Sequence, residues 1–194
     1  MIRKLLPLLS PVFAGVAIAL GCWIYLSMPD KTVGAALFAC GLLAVRIMGF
    51  DLFTGKAQFI PTPKYPWHFY PRTLLGNLIG VALMALLATA PIRGAAATVA
   101  AGKAAQTLVE AFLKGFACGM LMTIATHPKS PLFVSVMGVM AFILAGFNHC
   151  IADAFYLLAG GTLTWTWFAT LLGNACGGAL LGIPIERAPE GNNE

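Results

Sequence analysis

Along this chain, long apolar runs alternate with short polar breaks. Six runs approach the roughly 20 residues that a helix needs to cross about 30 Å of hydrocarbon: residues 9–28, 33–50, 72–90, 105–126, 131–148 and 163–184. The pattern predicts an all-α integral membrane protein, with residues 1–194 forming one domain of six transmembrane helices. The polar breaks repeat. Gly49-Phe50-Asp51 recurs as Gly146-Phe147-Asn148, and Leu74-Leu75-Gly76-Asn77 recurs as Leu171-Leu172-Gly173-Asn174. Subtracting 49 from 146, or 77 from 174, gives an offset of 97, which Gly41 and Gly138, and Gly80 and Gly177, also obey. Two copies of one unit, about 9–90 and 105–185, therefore make up the chain. Three helices per copy force the second copy into the bilayer upside down, as an inverted 3+3 repeat.

Composition agrees with the hydropathy pattern. At 59% hydrophobic and 10% charged residues, with a mean hydropathy of +0.85, a soluble domain of this size is excluded. The net charge of +5 reads as a topology signal, not as a nucleic-acid footprint. With the N-terminus in the cytoplasm, Arg3, Lys4, Lys56, Lys64, Arg72, Lys129 and Arg187 fall inside, against Lys31, Arg93 and Lys103 outside. Both termini are then cytoplasmic. The first apolar run reads as a retained span and not a cleaved signal, because its loss would break the three-plus-three plan. Cys22, Cys40, Cys118, Cys150 and Cys176 lie in apolar runs without a CxxC pair, and read as packed, reduced thiols.

The chemistry gathers at the breaks. Unpaired backbone is tolerated at membrane depth only where protein or a watery cavity satisfies it. The segments 49–56 and 146–153 place glycines and polar residues directly after apolar runs, so helices two and five are predicted to be interrupted. The second break carries His149, Cys150 and Asp153, and ionisable residues inside a membrane mark a functional site by default. Asn77 and Asn174, next to the small-residue pairs Gly76/Gly80 and Gly173/Gly177, either brace the broken helices or line a pore. Lys103, Thr107, Glu110 and Lys114 are spaced to share one face of helix four, with Glu110 four residues ahead of Lys114 in the favourable order for an ion pair. Arg46, inside helix two, needs a partner or water, and Asp51 and Asp153 are the candidates.

These motifs, Gly49-Phe50-Asp51-Leu52-Phe53-Thr54-Gly55, Leu74-Leu75-Gly76-Asn77, Gly146-Phe147-Asn148-His149-Cys150-Ile151-Ala152-Asp153 and Leu172-Gly173-Asn174, together resemble the formate/nitrite transporter family over about residues 9–185. The resemblance implies an aquaporin-like protomer, assembled as a homopentamer with one pore per protomer in a bacterial inner membrane. It also implies passage of small monovalent weak-acid anions such as formate, nitrite or hydrosulfide, with a proton as a further partner and no cofactor or metal. It places His149 at the pore centre, Lys103 as the residue that draws anions in, and Leu52-Phe53-Thr54 as a closing loop. Phe38, Leu42, Leu52, Phe53 and Phe142 take the positions of the apolar constrictions. A weak acid suits such a path, because acquiring or sharing a proton at His149, whose unperturbed pKa is about 6.5, lowers the desolvation cost of a bare charge.

The chain departs from the family around the motif histidine, and also in carrying Arg46 inside helix two and in its short loops. Members often carry an acid just before the motif histidine and an asparagine four residues after it, where this chain has Asn148 and Asp153. The charge around His149 is thus rearranged. Two other readings compete: a water- or glycerol-like neutral pore, and a membrane enzyme with Cys150 as nucleophile and His149 as base. Adjacent helical residues point in different directions, which counts against that Cys-His pair, and His149 with Asp153 alone is too small a ligand set for a tight metal site.

Overall fold

The computed structural model describes residues 2–187, with side chains over 9–185. The side chains of Arg3, Lys4 and Arg187, used above to orient the chain, lie outside the described residues. Every regular element among the described residues is helical: α1 (Ile2–Ser27), α2 (Lys31–Met48), α3 (Phe53–Lys56) with a 3-10 turn (Ala57–Phe59), α4 (Phe69–Leu87), α5 (Ala90–Ala104), α6 (Leu108–Thr126), α7 (Leu132–Leu144), α8 (Cys150–Ala159) and α9 (Thr166–Arg187). Five of these, α1, α2, α4, α6 and α9, are long and apolar enough to cross a membrane. α1 packs on α2 and α4, α6 packs on α7 and α9, and α2 and α7 join the two groups. α8 fills the middle, against α1, α4, α5 and α9.

Local chemistry sets the boundaries. Asp30 caps α2, its carboxylate accepting from the amides of Thr32 at 2.7 Å and Val33 at 3.0 Å. At the far end Gly49, at φ 70°, turns the chain out of the helix, and the Phe50 N–H returns to the Val45 carbonyl at 2.9 Å. Gly146, at φ 69°, does the same for α7, with the Phe147 N–H on the Phe142 carbonyl at 2.9 Å. Both are Schellman stops, in which a left-handed glycine satisfies the last carbonyls. The helix resumes at Phe53 after the first stop and at Cys150 after the second, again 97 residues apart.

Two segments are bounded more sharply than hydropathy alone allows. Within the run 131–148, α7 has 13 residues, about 20 Å at 1.5 Å per residue, and stops ahead of Gly146, at the break that the sequence pattern predicts. The segment between spans three and four is a 15-residue helix, α5. Its alanines favour a helix and Pro91 sits in its first turn, yet it is too short and too weakly apolar to register as a span.

Helices α1 and α4, and α6 and α9, meet backbone to backbone. A methyl added at Gly15 would meet the Asn77 carbonyl oxygen, and one at Gly119 would meet that of Asn174. These glycines let α1 approach α4, and α6 approach α9, at the level of the two asparagines. Gly119→Ala is expected to destabilise the folded protein by about 1–3 kcal/mol. An unchanged melting temperature in detergent would show that the α6–α9 contact gives way freely.

Candidate functional site

The two helix breaks converge on one side-chain pair. Thr54, on α3, meets His149, in the second break, with Oγ1 2.8 Å from Nε2. His149 also caps α8, its Nδ1 accepting the Ala152 amide at 3.1 Å. That bond places the proton of the neutral ring on Nε2, which then donates to Thr54. The ring is only 1% exposed and stacks on Phe142, centroids 5.4 Å apart and planes at 20°. Phe142 meets Phe38 edge-on at 5.8 Å and 88°. Phe38, Leu42, Leu52, Phe53 and Phe142 are all buried in one apolar cluster, so the histidine's polar edge sits within a hydrophobic plug.

Each break is braced by its asparagine. Asn77 accepts the Phe53 N–H at 2.8 Å and donates to the Pro11 and Asp51 carbonyls at 2.7 and 2.8 Å. Asn174 accepts the Cys150 N–H at 2.7 Å and donates to the Gly115 and Asn148 carbonyls at 2.7 and 2.8 Å. Both are fully buried, and both amide hydrogens of each are used. Of the two sequence readings, bracing is the one these bonds describe.

On the Phe142 side lies a cavity of about 300 Å³, lined in part by Tyr25, Lys103, Gln106, Phe142, Asp153 and Tyr156. Lys103 turns into it from the C-terminal end of α5. Its ammonium is 3.2 Å from the Asp153 carboxylate, 2.6 Å from Asn148 Oδ1 and 3.1 Å from the Phe147 carbonyl. Asn148 in turn donates to Gln106 at 2.6 Å and Thr170 at 3.1 Å. The expectation that Lys103 shares a face of helix four with Glu110 and Lys114 is corrected, because the chain turns between α5 and α6 and Thr107 caps the new helix. Glu110 and Lys114 pair with each other at 2.7 Å, both outside the buried network.

On the Leu52 side a second cavity, of about 350 Å³, is lined in part by Arg46, Leu52, Gly55, Lys56, Lys64 and Tyr65. The two cavities sit at opposite ends of α2: Gly34 packs near Tyr25 at its start, and Arg46 lies in its last turn. The proposed partnership of Arg46 with Asp51 or Asp153 is corrected. Arg46 donates to Ser135 Oγ at 2.8 Å and to the carbonyls of His127, Ser130 and Pro131 at 3.1, 2.8 and 3.4 Å. Asp51 is held instead by Lys56 at 3.1 Å and Ser10 at 3.0 Å, and Asp153 is held by Lys103. A larger apolar hollow, about 710 Å³ and lined by side chains such as Leu163 and Trp165, contains none of these residues. No group of three metal-ligating side chains occurs among the described residues.

Sequence reading passed over four members of this arrangement. Thr170 is the counterpart of Thr73 at the offset of 97 and was open to detection there. Gln106 and Ser10 carry no signal of their own. Trp167, whose indole donates to the Cys150 carbonyl at 2.8 Å, looked like one more apolar residue.

The formate/nitrite transporter family model matches residues 3–185. The chain belongs to the formate/nitrite transporter family. Among curated members, the probable formate transporter of Methanothermobacter thermautotrophicus is 26% identical over 196 residues, covering 77% of this chain and 72% of that one. Two solved formate/nitrite transporter structures share the fold. One, described as an FNT family ion channel, superposes with a TM-score of 0.80 at 23% identity, covering 94% of this chain and 89% of its own. The other, a pentameric formate channel with formate bound, gives a TM-score of 0.70 at 24% identity, covering 89% and 92%. The family and the apolar helices together make this an integral membrane protein.

Proposed function

We propose that this chain is a channel or transporter for small monovalent weak-acid anions of the formate, nitrite or hydrosulfide class, working as a homopentamer with a pore through each protomer. The observation that carries the proposal is the position of His149: its one ring N–H faces Thr54, where two helix breaks meet inside an apolar plug between two cavities. Basic side chains line both cavities, Lys103 in one and Arg46, Lys56 and Lys64 in the other, but the plug of Phe38, Phe142 and Leu52 opposes a bare ion. An anion that takes a hydrogen bond or a proton from His149 crosses closer to neutrality. The N-terminal end of α8, which His149 caps, adds partial positive charge at the same place.

The matched Schellman stops and matched asparagine braces, each 97 residues apart, support reading α2–α3 and α7–α8 as the interrupted helices of an inverted 3+3 repeat. Membership of the family supports the anion class. Orientation with cytoplasmic termini in a bacterial inner membrane rests on the distribution of Lys and Arg.

Transport also accounts for the ring nitrogens better than catalysis does. Both are occupied, by Thr54 and by the Ala152 amide, so His149 is not bonded to Cys150. The test is uptake of formate, nitrite, hydrosulfide and lactate into proteoliposomes between pH 5 and 8, with glycerol and chloride as controls. Saturable weak-acid uptake, retained in Cys150→Ser, is the expected result. Glycerol flux alone would refute the anion reading, and activity abolished by Cys150→Ser would return Cys150 to consideration as a nucleophile.

A further inference from the structure

The two cavities differ in electrical balance. In the first, the ammonium of Lys103 is matched by the carboxylate of Asp153, so its lining is close to neutral. In the second, Arg46, Lys56 and Lys64 all face the hollow, and Asp51 pairs with Lys56 alone. Arg46 is held by four neutral acceptors, three carbonyls and a hydroxyl, which fix the guanidinium in place without cancelling its charge. Its Nε–H is not used in these bonds. Lys64 lies over the Phe59 ring, 3.7 Å from its centroid, and neither it nor Arg46 has a carboxylate within 4.0 Å among the described residues. Such a ring contact leaves an ammonium charged and its protons available.

Two cations without a carboxylate partner therefore share one hollow, Arg46 tied by four hydrogen bonds and Lys64 exposed over the Phe59 ring. Low-dielectric walls of Leu52, Phe50 and Phe59 confine their field. Leu52 and Gly55 line the hollow and bracket Phe53 and Thr54, the latter bonded to His149. We infer that this mouth is a second anion station, which holds a small monovalent oxyanion or carboxylate between Arg46 and Lys64 before it reaches His149. The ligand class rests on the transport reading given above, whereas the station itself rests on the charges. It makes the protein asymmetric: anions collect at the Arg46 mouth at lower concentration than at the Lys103 mouth.

Right-side-out and everted membrane vesicles expose the two mouths separately. At about 10 mM ionic strength, where the screening length is near 30 Å, the formate KM at the Arg46 mouth is expected to be about three- to tenfold below that at the other. The gap should close at high salt. In Arg46→Gln and Lys64→Gln the two values should converge. Lys64 makes no buried hydrogen bond, so its variant tests the charge even if the Arg46 variant does not fold. Broadening of the ¹³C-formate resonance by the solubilised protein, reduced at least threefold in Lys64→Gln, reads the station without flux. Equal KM values on both sides of the wild type, or broadening unchanged in Lys64→Gln, would overturn the inference. Absent flux with broadening intact would count against transport and not against the station.

Discussion

Replacing His149 with alanine is expected to cut saturable formate uptake by about ten- to a hundredfold. A hydrogen bond to a charged partner contributes about 1.5–3 kcal/mol, and each 1.4 kcal/mol is a factor of ten. In this plug the imidazole and the Thr54 hydroxyl are the polar groups at the meeting of the two breaks, and Phe38 and Phe142 offer the anion no hydrogen bond in place of the ring. The same change removes the cap of α8, at a cost of about 1 kcal/mol, so lost activity alone would be ambiguous. His149→Asn separates the two effects, because asparagine is a good N-cap and its amide can donate a hydrogen bond without exchanging a proton. Uptake restored in the Asn variant would mean that a hydrogen bond suffices for passage. Uptake lost in both variants, with an intact oligomer, would mean that the proton itself is transferred. Wild-type rates in His149→Ala would remove His149 from the mechanism.

Asn174→Leu is expected to be the most damaging single change to the fold. It leaves the Cys150 N–H and the carbonyls of Gly115 and Asn148 without their partner in a fully buried place. Each orphaned group costs about 1–3 kcal/mol, and their sum rivals the whole stability of many domains. The expected outcome is loss of monodisperse protein on size exclusion, with Asn77→Leu behaving alike through Phe53, Pro11 and Asp51. A well-folded Asn174→Leu protein that still transports would show that water replaces the brace.

The parts of this architecture that were legible in the sequence are those imposed by the bilayer. Apolar run length marks the long helices, and the shared offset marks the two helix stops, because backbone freed in apolar surroundings must be satisfied at each of them by similar residues. His149, Asn77 and Asn174 stand out for the same reason, as polar groups where hydrocarbon would otherwise be expected. Three-dimensional neighbours were not legible. Arg46 met carbonyls of a connector about 80 residues away, and carbonyls exist at every position, so no residue type announces them. Lys103 was assigned to the wrong helix because α5 is alanine-rich and only weakly apolar. Gly15 and Gly119 escaped notice because they correspond at an offset of 104, not 97, the hairpin between them and the breaks being seven residues shorter in the second copy.

That shortening has an electrical consequence. Twelve residues separate Gly15 from the end of α1, but seven separate Gly119 from the end of α6; α2 has 18 residues and α7 has 13. Each arm of the second hairpin is thus five residues, or about 7.5 Å, shorter, and its connector, bound by Arg46, floors a recess. If the two asparagines lie near the bilayer midplane, as the proposed inverted repeat requires, an anion resting there has already traversed about a quarter of the voltage across roughly 30 Å of hydrocarbon. At about 2.3 kcal/mol per charge per 100 mV, the binding free energy there shifts by about 0.6 kcal/mol for every 100 mV, so a membrane potential of that size changes the affinity of this mouth by about threefold.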